Sequence, residues 1–380
     1  MFQITPPLPV FSIGNVLTKD ESKVLSSIDE SLCNNSSVIA LKNAGKLDGF
    51  IEEVQRQFKE QARTDFSERV QQLTQWGLKP TDSLQDLEVM AQRCLNTHYV
   101  GIKISTSAFY DMVSANFLGD SNSIIRKAKS DPQFGALYVY MCLYYDNIII
   151  NENSNISNNE LSFDSSYYGK TLQEFINEDF NLNFKDTQIP IILREYSKKE
   201  EIQSSSPWPA LNGSSVQWYA RRYSSNETGN TSEYFYLPDR DCTNFVSQAL
   251  FYGGLYMTFT NSDKTADGYV ETQKRWFYFK NNTSTGHSVS TSWVRVNELY
   301  NYLSPHYATL ETKSNSTMTP YLNKGFVLQG KAFIGGYSHS VIITITNGKY
   351  TYCAHSRSRC NEPIETFYNS YYKCRVIQTY

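Results

Sequence analysis

The run His339–His355, HSVIITITNGKYTYCAH, leaves the chain few ways to fold around it. Two stretches rich in β-branched and aromatic residues flank Asn347-Gly348, and both central positions of a tight hairpin turn need positive φ, which Asn and Gly tolerate best. An antiparallel pair of strands is therefore expected here. A symmetric turn of two or three residues brings Ile345 near Lys349, so His339 and His355 are expected side by side at one end of the sheet.

A second constraint comes a hundred residues earlier, in DCTNFVSQALFYGG at Asp241–Gly254. Cys242, Phe245, Val246, Ala249 and Leu250 recur at the three- and four-residue steps of a buried helical stripe. Asp241 or Asp239 is expected to cap the start, and Gly253 to make the left-handed stop. Cys242 then occupies the first turn, facing the core. There the unsatisfied N–H groups and the positive end of the helix dipole favour a thiolate and can lower a thiol from about 8.5 to ~3.5–7.5. Helix pattern alone also allows an inert buried thiol.

The preceding half of the chain reads as mostly helical. Ile51, Val54, Phe58, Ala62, Phe66, Val70 and Leu73 outline an amphipathic helix over Phe50–Leu78, ended by Gly77 and Pro80. A second starts near Ser83, a short one surrounds Leu172–Glu178, and Asp131–Ile150 is a third, aromatic-rich candidate that could finish as a strand. Asn151–Ser166, poor in apolar residues, reads as a loop. The polar, proline-ended SKKEEIQSSSPWP at Ser197–Pro209 reads as a linker. These features predict a helical domain over 1–197, a linker over 198–207 and an α+β domain over 208–380. The last would hold a short helix at Ser215–Tyr223, the Cys242 helix, a strand at Ser292–Val296 and the hairpin.

Composition narrows the partners. At 380 residues the chain can bury two cores, and with a net charge of −3 and no basic run it offers nothing for a phosphate backbone, so nucleic acid is not an expected partner. No window approaches the ~18 apolar residues of a membrane span, and Met1–Asn15 lacks the basic and apolar regions of a signal peptide, which makes the cytoplasm the default expectation and leaves non-classical export open. The seven cysteines leave six if one is a working thiol, enough for three bridges or none. Cys353, His355, Cys360 and Cys374 lack the usual zinc-knuckle spacing, so neither a metal nor a cofactor is expected. Oligomeric state is not legible.

DCTNFVSQAL, an upstream helix like SVQWYARRY, the downstream RWFYF and SWVRVNELYNYL, and the late SHSVIIT and YCAHS together resemble the bacterial putative amidase domain. That domain is grouped with the papain-like cysteine hydrolases of the NlpC/P60 and CHAP type. The resemblance runs from about Trp208 onward and is silent on Met1–Ser197. It implies a helix carrying the nucleophile, packed on an antiparallel sheet with a histidine at the head of one strand and a third polar residue on the next. Position by position it implies Cys242 as nucleophile, His339 as base and His355 as the third member, a place for which Asn347 and Asn361 also compete because it tolerates several polar types. One departure is NKGFVLQGKAFIGGYSHS before the histidine strand, which has no acidic residue after Gly325 and so suggests an altered groove wall.

Asp241 and Asn244 are expected to support the site, with Tyr236, Trp276 and Trp293 as candidate groove walls. A thiolate that expels an amine needs a proton carrier, which is the work assigned to His339. The expected activity is cleavage of an amide bond in a peptide or cell-wall muropeptide. Two alternatives use the same residues or fold: acyl transfer to an amine, and a non-catalytic module that binds a peptide or glycan.

Overall fold

The computed structural model describes residues 36–117, 124–145, 163, 165–184, 188–200, 208–226, 228–237, 240–355 and 358–380. The chain divides into two compact units, Met1–Asp65 with Asn181–Ser205, and Phe66–Phe180 with Ser206–Tyr380. Most of the expected loop over 151–166 and of the expected linker over 198–207 lies outside the described residues, while the helix Ile189–Lys199 runs into the start of that linker.

In the first unit, Phe50 meets Tyr196 edge-on at 5.8 Å between ring centroids, and Phe58 meets Phe184 at 5.0 Å. The first contact seats the helix Ile189–Lys199 against the start of the long helix Leu47–Gln75, and the second brings Phe184 onto the same long helix. The three- and four-residue apolar steps of that long helix are what make this burial possible.

The second unit is α+β. Its strands are β1 (Gly268–Val270), β2 (Tyr278–Lys280), β3 (His287–Ser290), β4 (Ala308–Thr312), β5 (Val327–Lys331), β6 (Tyr337–Thr346), β7 (Lys349–Ala354), β8 (Arg359–Pro363) and β9 (Lys373–Gln378). The first three form a small sheet in the order β1-β3-β2. The other six form an antiparallel sheet in the order β4-β9-β5-β6-β7-β8.

Alternation along β6 separates the two faces of the large sheet. Val341 and Ile343 join Phe367, Tyr371 and Leu328 in an apolar core under the helix Ile364–Ser370. Ser340 faces the other way, where its Oγ accepts from Thr243 Oγ1 of the helix Cys242–Tyr252 at 3.3 Å. The helix Gly213–Ser224 lies on that same side, and its Arg221 donates to the Ile345 carbonyl at 2.6 Å.

The segment 66–180 shares a core with the β5–β6 connection. Leu73, Trp76, Leu87, Leu137 and Ile176 bury alongside Ala332, Phe333 and Ile334. A buried Asp179 carboxylate joins Arg69 to Lys331, the last residue of β5. The compact unit is thus larger than the 208–380 domain expected from the linker, because long-range contacts of this kind leave no local signal.

Local readings fare differently from place to place. The second helix is Leu84–His98, begun by a capping box in which Ser83 and Asp86 exchange hydrogen bonds. Asp131 starts a short 3₁₀ turn that runs into the helix Gly135–Tyr144, and 146–150 lie outside the described residues. The expected strand at Ser292–Val296 is a correction: Thr291–Val294 is a helical turn, followed by the helix Val296–Leu303. Packing overrides β propensity there, since the turn buries Trp293 at 4.3 Å from Trp276 and lets Ser247 bond the Trp293 carbonyl at 2.8 Å.

Candidate active site

The helix Cys242–Tyr252 begins at the predicted residue, but its ends are made differently. Asp241 occupies the N-cap with no side-chain capping bond. Its carboxylate is engaged elsewhere: Oδ1 accepts from Leu237 N–H at 3.0 Å and Asn244 Nδ2 at 2.8 Å, and Oδ2 accepts from His355 Nδ1 at 2.5 Å. Asp239 lies outside the described residues. At the far end Gly253 is right-handed, with φ −75°, and Gly254 takes the left-handed conformation at φ 105°.

Cys242 is 6% exposed, and its sulfur lies 3.7 Å from Thr243 Oγ1. Thr243 Oγ1 in turn donates to Ser340 Oγ at 3.3 Å, just past the last β6–β7 pair, Ile342↔Cys353. Burial pushes the thiol up, and the adjacent Asp241 charge adds to this; the Ser340 and Thr243 donors pull it down and are outweighed. The lowered thiol expected from the helix N-terminus is therefore not what the resting site holds. Desolvation defeats the dipole.

His339 opens toward the opposite face. Its ring lies 6.0 Å from Phe367 and 6.4 Å from Tyr371, nearly parallel to both. Its cross-strand partner is Gly330, and a Cβ added to Gly330 would meet the Tyr371 ring at 2.4 Å, so a glycine is what lets Tyr371 lie this close. Burial, aided by the Arg359 charge, lowers the His339 pKa to about 3, which makes the imidazole neutral near pH 7. Its Nδ1 is buried without a hydrogen-bond partner, and no hydrogen bond joins the ring to Cys242.

The hairpin forms, but one register step from the expected pairing. Asn347 and Gly348, at φ 51° and 74°, make a two-residue turn closed by Thr346↔Lys349, so Ile345 pairs with Tyr350. Continuing the ladder past Ile342↔Cys353 sets Ser340, not His339, opposite His355. A shift of one residue changes the face of every side chain. His355 accordingly joins the helix side of the sheet, stacked on Phe245 at 5.2 Å, while His339 lies under the helix Ile364–Ser370. The structure does not bring the two histidines together.

His355 is instead locked between two acceptors, Asp241 Oδ2 and the Asn226 carbonyl at 2.8 Å from Nε2. Burial works against its charge, but the Asp241 hydrogen bond, the Asp241 charge and the Asn226 carbonyl prevail and raise its pKa. Both ring nitrogens facing acceptors is the arrangement an imidazolium satisfies. Gly229, at φ 64°, lets the 226–229 turn approach the ring, since a Cβ there would stand 2.9 Å from it. Asn226 was not assigned to the site from the sequence, although the NETGN composition around it marks a turn.

Asn244 is fully buried and satisfied: Nδ2 donates to the Phe235 carbonyl at 2.9 Å and to Asp241, and Oδ1 accepts from Trp293 Nε1 at 2.9 Å. Trp276 and Trp293 are core residues with no exposed face, Trp276 Nε1 donating to Ser247 Oγ at 3.1 Å. Of the three candidate groove aromatics only Tyr236 is partly exposed, and it meets His355 edge-on at 5.6 Å. Among the described residues none of the six cysteines is in a disulfide, and no cluster of His, Cys, Asp and Glu forms a metal site. No described helix is long and apolar enough to cross a membrane.

Residues 210–377 match the family model of the putative amidase domain. The match spans the Cys242 helix, the large sheet and both strand-end histidines, a little under half of the chain. It supports an amidase-like domain and, in general terms, a hydrolase of amide bonds. No curated protein and no solved structure matches the chain.

Proposed function

We propose that the protein is a cysteine-dependent amide hydrolase of the papain-like, NlpC/P60 and CHAP type, with Cys242 as nucleophile and His339 as proton carrier. The observation that carries this reading is that Cys242 opens a helix whose next residue, Thr243, donates from Oγ1 to Ser340 Oγ at 3.3 Å, one residue from His339, within the matched amidase segment. The sulfur attacks the amide carbonyl carbon as its proton passes to the imidazole, which then delivers that proton to the departing amine. Water releases the acyl group from sulfur, and the Cys242 backbone N–H at the helix start helps to hold the oxyanion.

Two features of the resting site shape this chemistry. Thiol and imidazole both start neutral, since burial disfavours the charged form of each. His339 rests beside Phe367 and Tyr371 on the other face of the sheet, so pairing it with the sulfur calls for a rearrangement of the strand end when substrate binds. His355 acts as a positioning residue, holding Asp241 and through it the start of the helix. The substrate class proposed is a peptide or muropeptide.

The 6% exposure of Cys242 favours one second reading, a non-catalytic module that binds a peptide or glycan. Incubating the intact chain with mixed peptides and purified peptidoglycan, followed by mass spectrometry, separates the two. Hydrolysis predicts new amine and carboxyl ends that vanish with Cys242→Ala. Binding of the same material with no products from the unaltered chain supports the module and overturns the hydrolase.

A further inference from the structure

Cys353 and Cys360 stand on the neighbouring strands β7 and β8, and the Cys353 thiol donates to the Cys360 sulfur across 3.9 Å. A regular ladder would not set them together. Tyr352 pairs with Glu362, a register that would place Cys353 opposite Asn361. The register then shifts so that Ala354 pairs with Arg359, and Asn361 takes the left-handed conformation at φ 57°. The extra residue is a bulge, and the bulge aligns the two sulfurs.

The surroundings treat the two thiols differently. Cys353 is fully buried, whereas Cys360 is partly exposed. Asn361 Nδ2 donates to the Cys360 sulfur at 3.4 Å, and Asn361 Oδ1 is itself held by Arg221 Nε at 2.8 Å. A partly open sulfur with donors and a cation beside it is the one a small reagent reaches as thiolate.

We propose that Cys353 and Cys360 form a thiol–disulfide site, separate from Cys242, at which Cys360 reacts first with a low-molecular-weight disulfide and Cys353 resolves the adduct. The hydrogen bond from Cys353, then Ser224 and the Arg221 charge, accord with this order, holding Cys360 below its ordinary value against its partial burial while Cys353 is pushed far up. In the first step the Cys360 thiolate attacks one sulfur of the reagent, forming a mixed disulfide and releasing one reagent thiolate, which takes a proton from water. In the second, Cys353 loses its proton to solvent and attacks the Cys360 sulfur, expelling the other reagent thiolate. Two protein thiols and one small disulfide become one protein disulfide and two small thiols.

The test treats the full chain at pH 7 with oxidised glutathione and follows it by peptide mass spectrometry under non-reducing conditions. The expected product is a cross-link between the peptides holding Cys353 and Cys360, without retained glutathione. Cys353→Ser should trap the glutathione adduct on Cys360, and Cys360→Ser should abolish both adduct and cross-link. In brief labelling with iodoacetamide, Cys360 should react about tenfold faster than Cys94 or Cys242. A stable glutathione adduct on Cys360 of the unaltered chain, or first reaction at another cysteine, overturns the proposal. Because the readout is chemical and needs no turnover of an amide substrate, it stands or fails independently of amide hydrolysis.

Discussion

His355 donates from Nδ1 to Asp241 Oδ2 at 2.5 Å, one residue before Cys242, and both side chains are buried. The contact ties the end of β7 to the start of the helix that carries the thiol. Breaking one side leaves the other buried without its partner, which typically costs about 3–5 kcal/mol. Asp241→Asn should therefore lower stability by about 3 kcal/mol, read as a fall in the denaturation midpoint. A change below about 1 kcal/mol would mean the pair is not a structural lock.

The two strand-end histidines should give stability opposite dependences on pH. His355 has a raised folded pKa, so its contribution is complete below its unfolded value of about 6.5 and is lost as pH climbs through the folded value. His339 is lowered to about 3, so the unfolded chain binds its proton first and stability falls as pH drops from about 6.5 toward that value. Thermal melts across pH should show the stabilising difference between the unaltered chain and His355→Gln shrinking on the alkaline side. His339→Gln should flatten the acid side. A His355→Gln difference that grows with pH would refute the imidazolium assignment.

The Cys242 thiol is raised by burial, so in the absence of substrate it should alkylate slowly near pH 7 and gain reactivity only as pH rises above its ordinary range. Quantitative labelling of that cysteine across pH, tracked by peptide mass spectrometry, provides the readout. Fast labelling at neutral pH would show a preformed thiolate and contradict the neutral resting pair. A substrate-dependent increase would fit the assembly of the pair on binding.

Much of this arrangement is written in local pattern. The Cys242 stripe, the Ser83 start and the Asn347-Gly348 turn all depend on neighbouring residues and are visible as sequence. The histidine geometry is not, because allowing either a two- or a three-residue turn leaves the register uncertain by one step, and one step moves a side chain to the other face. Trp293 looks like a strand residue until Trp276 and Ser247, distant in sequence, draw it into a helical turn. The burial that raises the Cys242 thiol is likewise a product of packing, whereas the opposing dipole could be read from position alone.

Asn244 offers a sharper test of the helix start than a simple deletion. Its amide donates to Asp241 and accepts from Trp293 Nε1. Asn244→Ala removes these two together with the bond to the Phe235 carbonyl and should cost about 1–3 kcal/mol. Asn244→Asp keeps the shape but faces the Asp241 carboxylate with a second one where a donor stood, so it should be the more damaging change at pH 7 and recover partly on mild acidification. Equal midpoints for the two variants at pH 7 would refute this account.

Asp179 holds a buried position between two cations, 2.5 Å from Arg69 Nη1 and 2.9 Å from Lys331 Nζ. Arg69 also donates to the Phe333 carbonyl at 2.9 Å, so the cluster pins the helices of 66–180 to the β5–β6 connection. Lys331 follows Gly330, the cross-strand partner of His339, and the register shifts between them. Asp179→Ala would leave two cations facing each other with their shared anion gone, a loss of about 3–5 kcal/mol. Hydrogen exchange should then rise across β5 and the start of β6 as well as around residues 69 and 179. Exchange confined to the helices would mean that the cluster does not support the strand carrying His339.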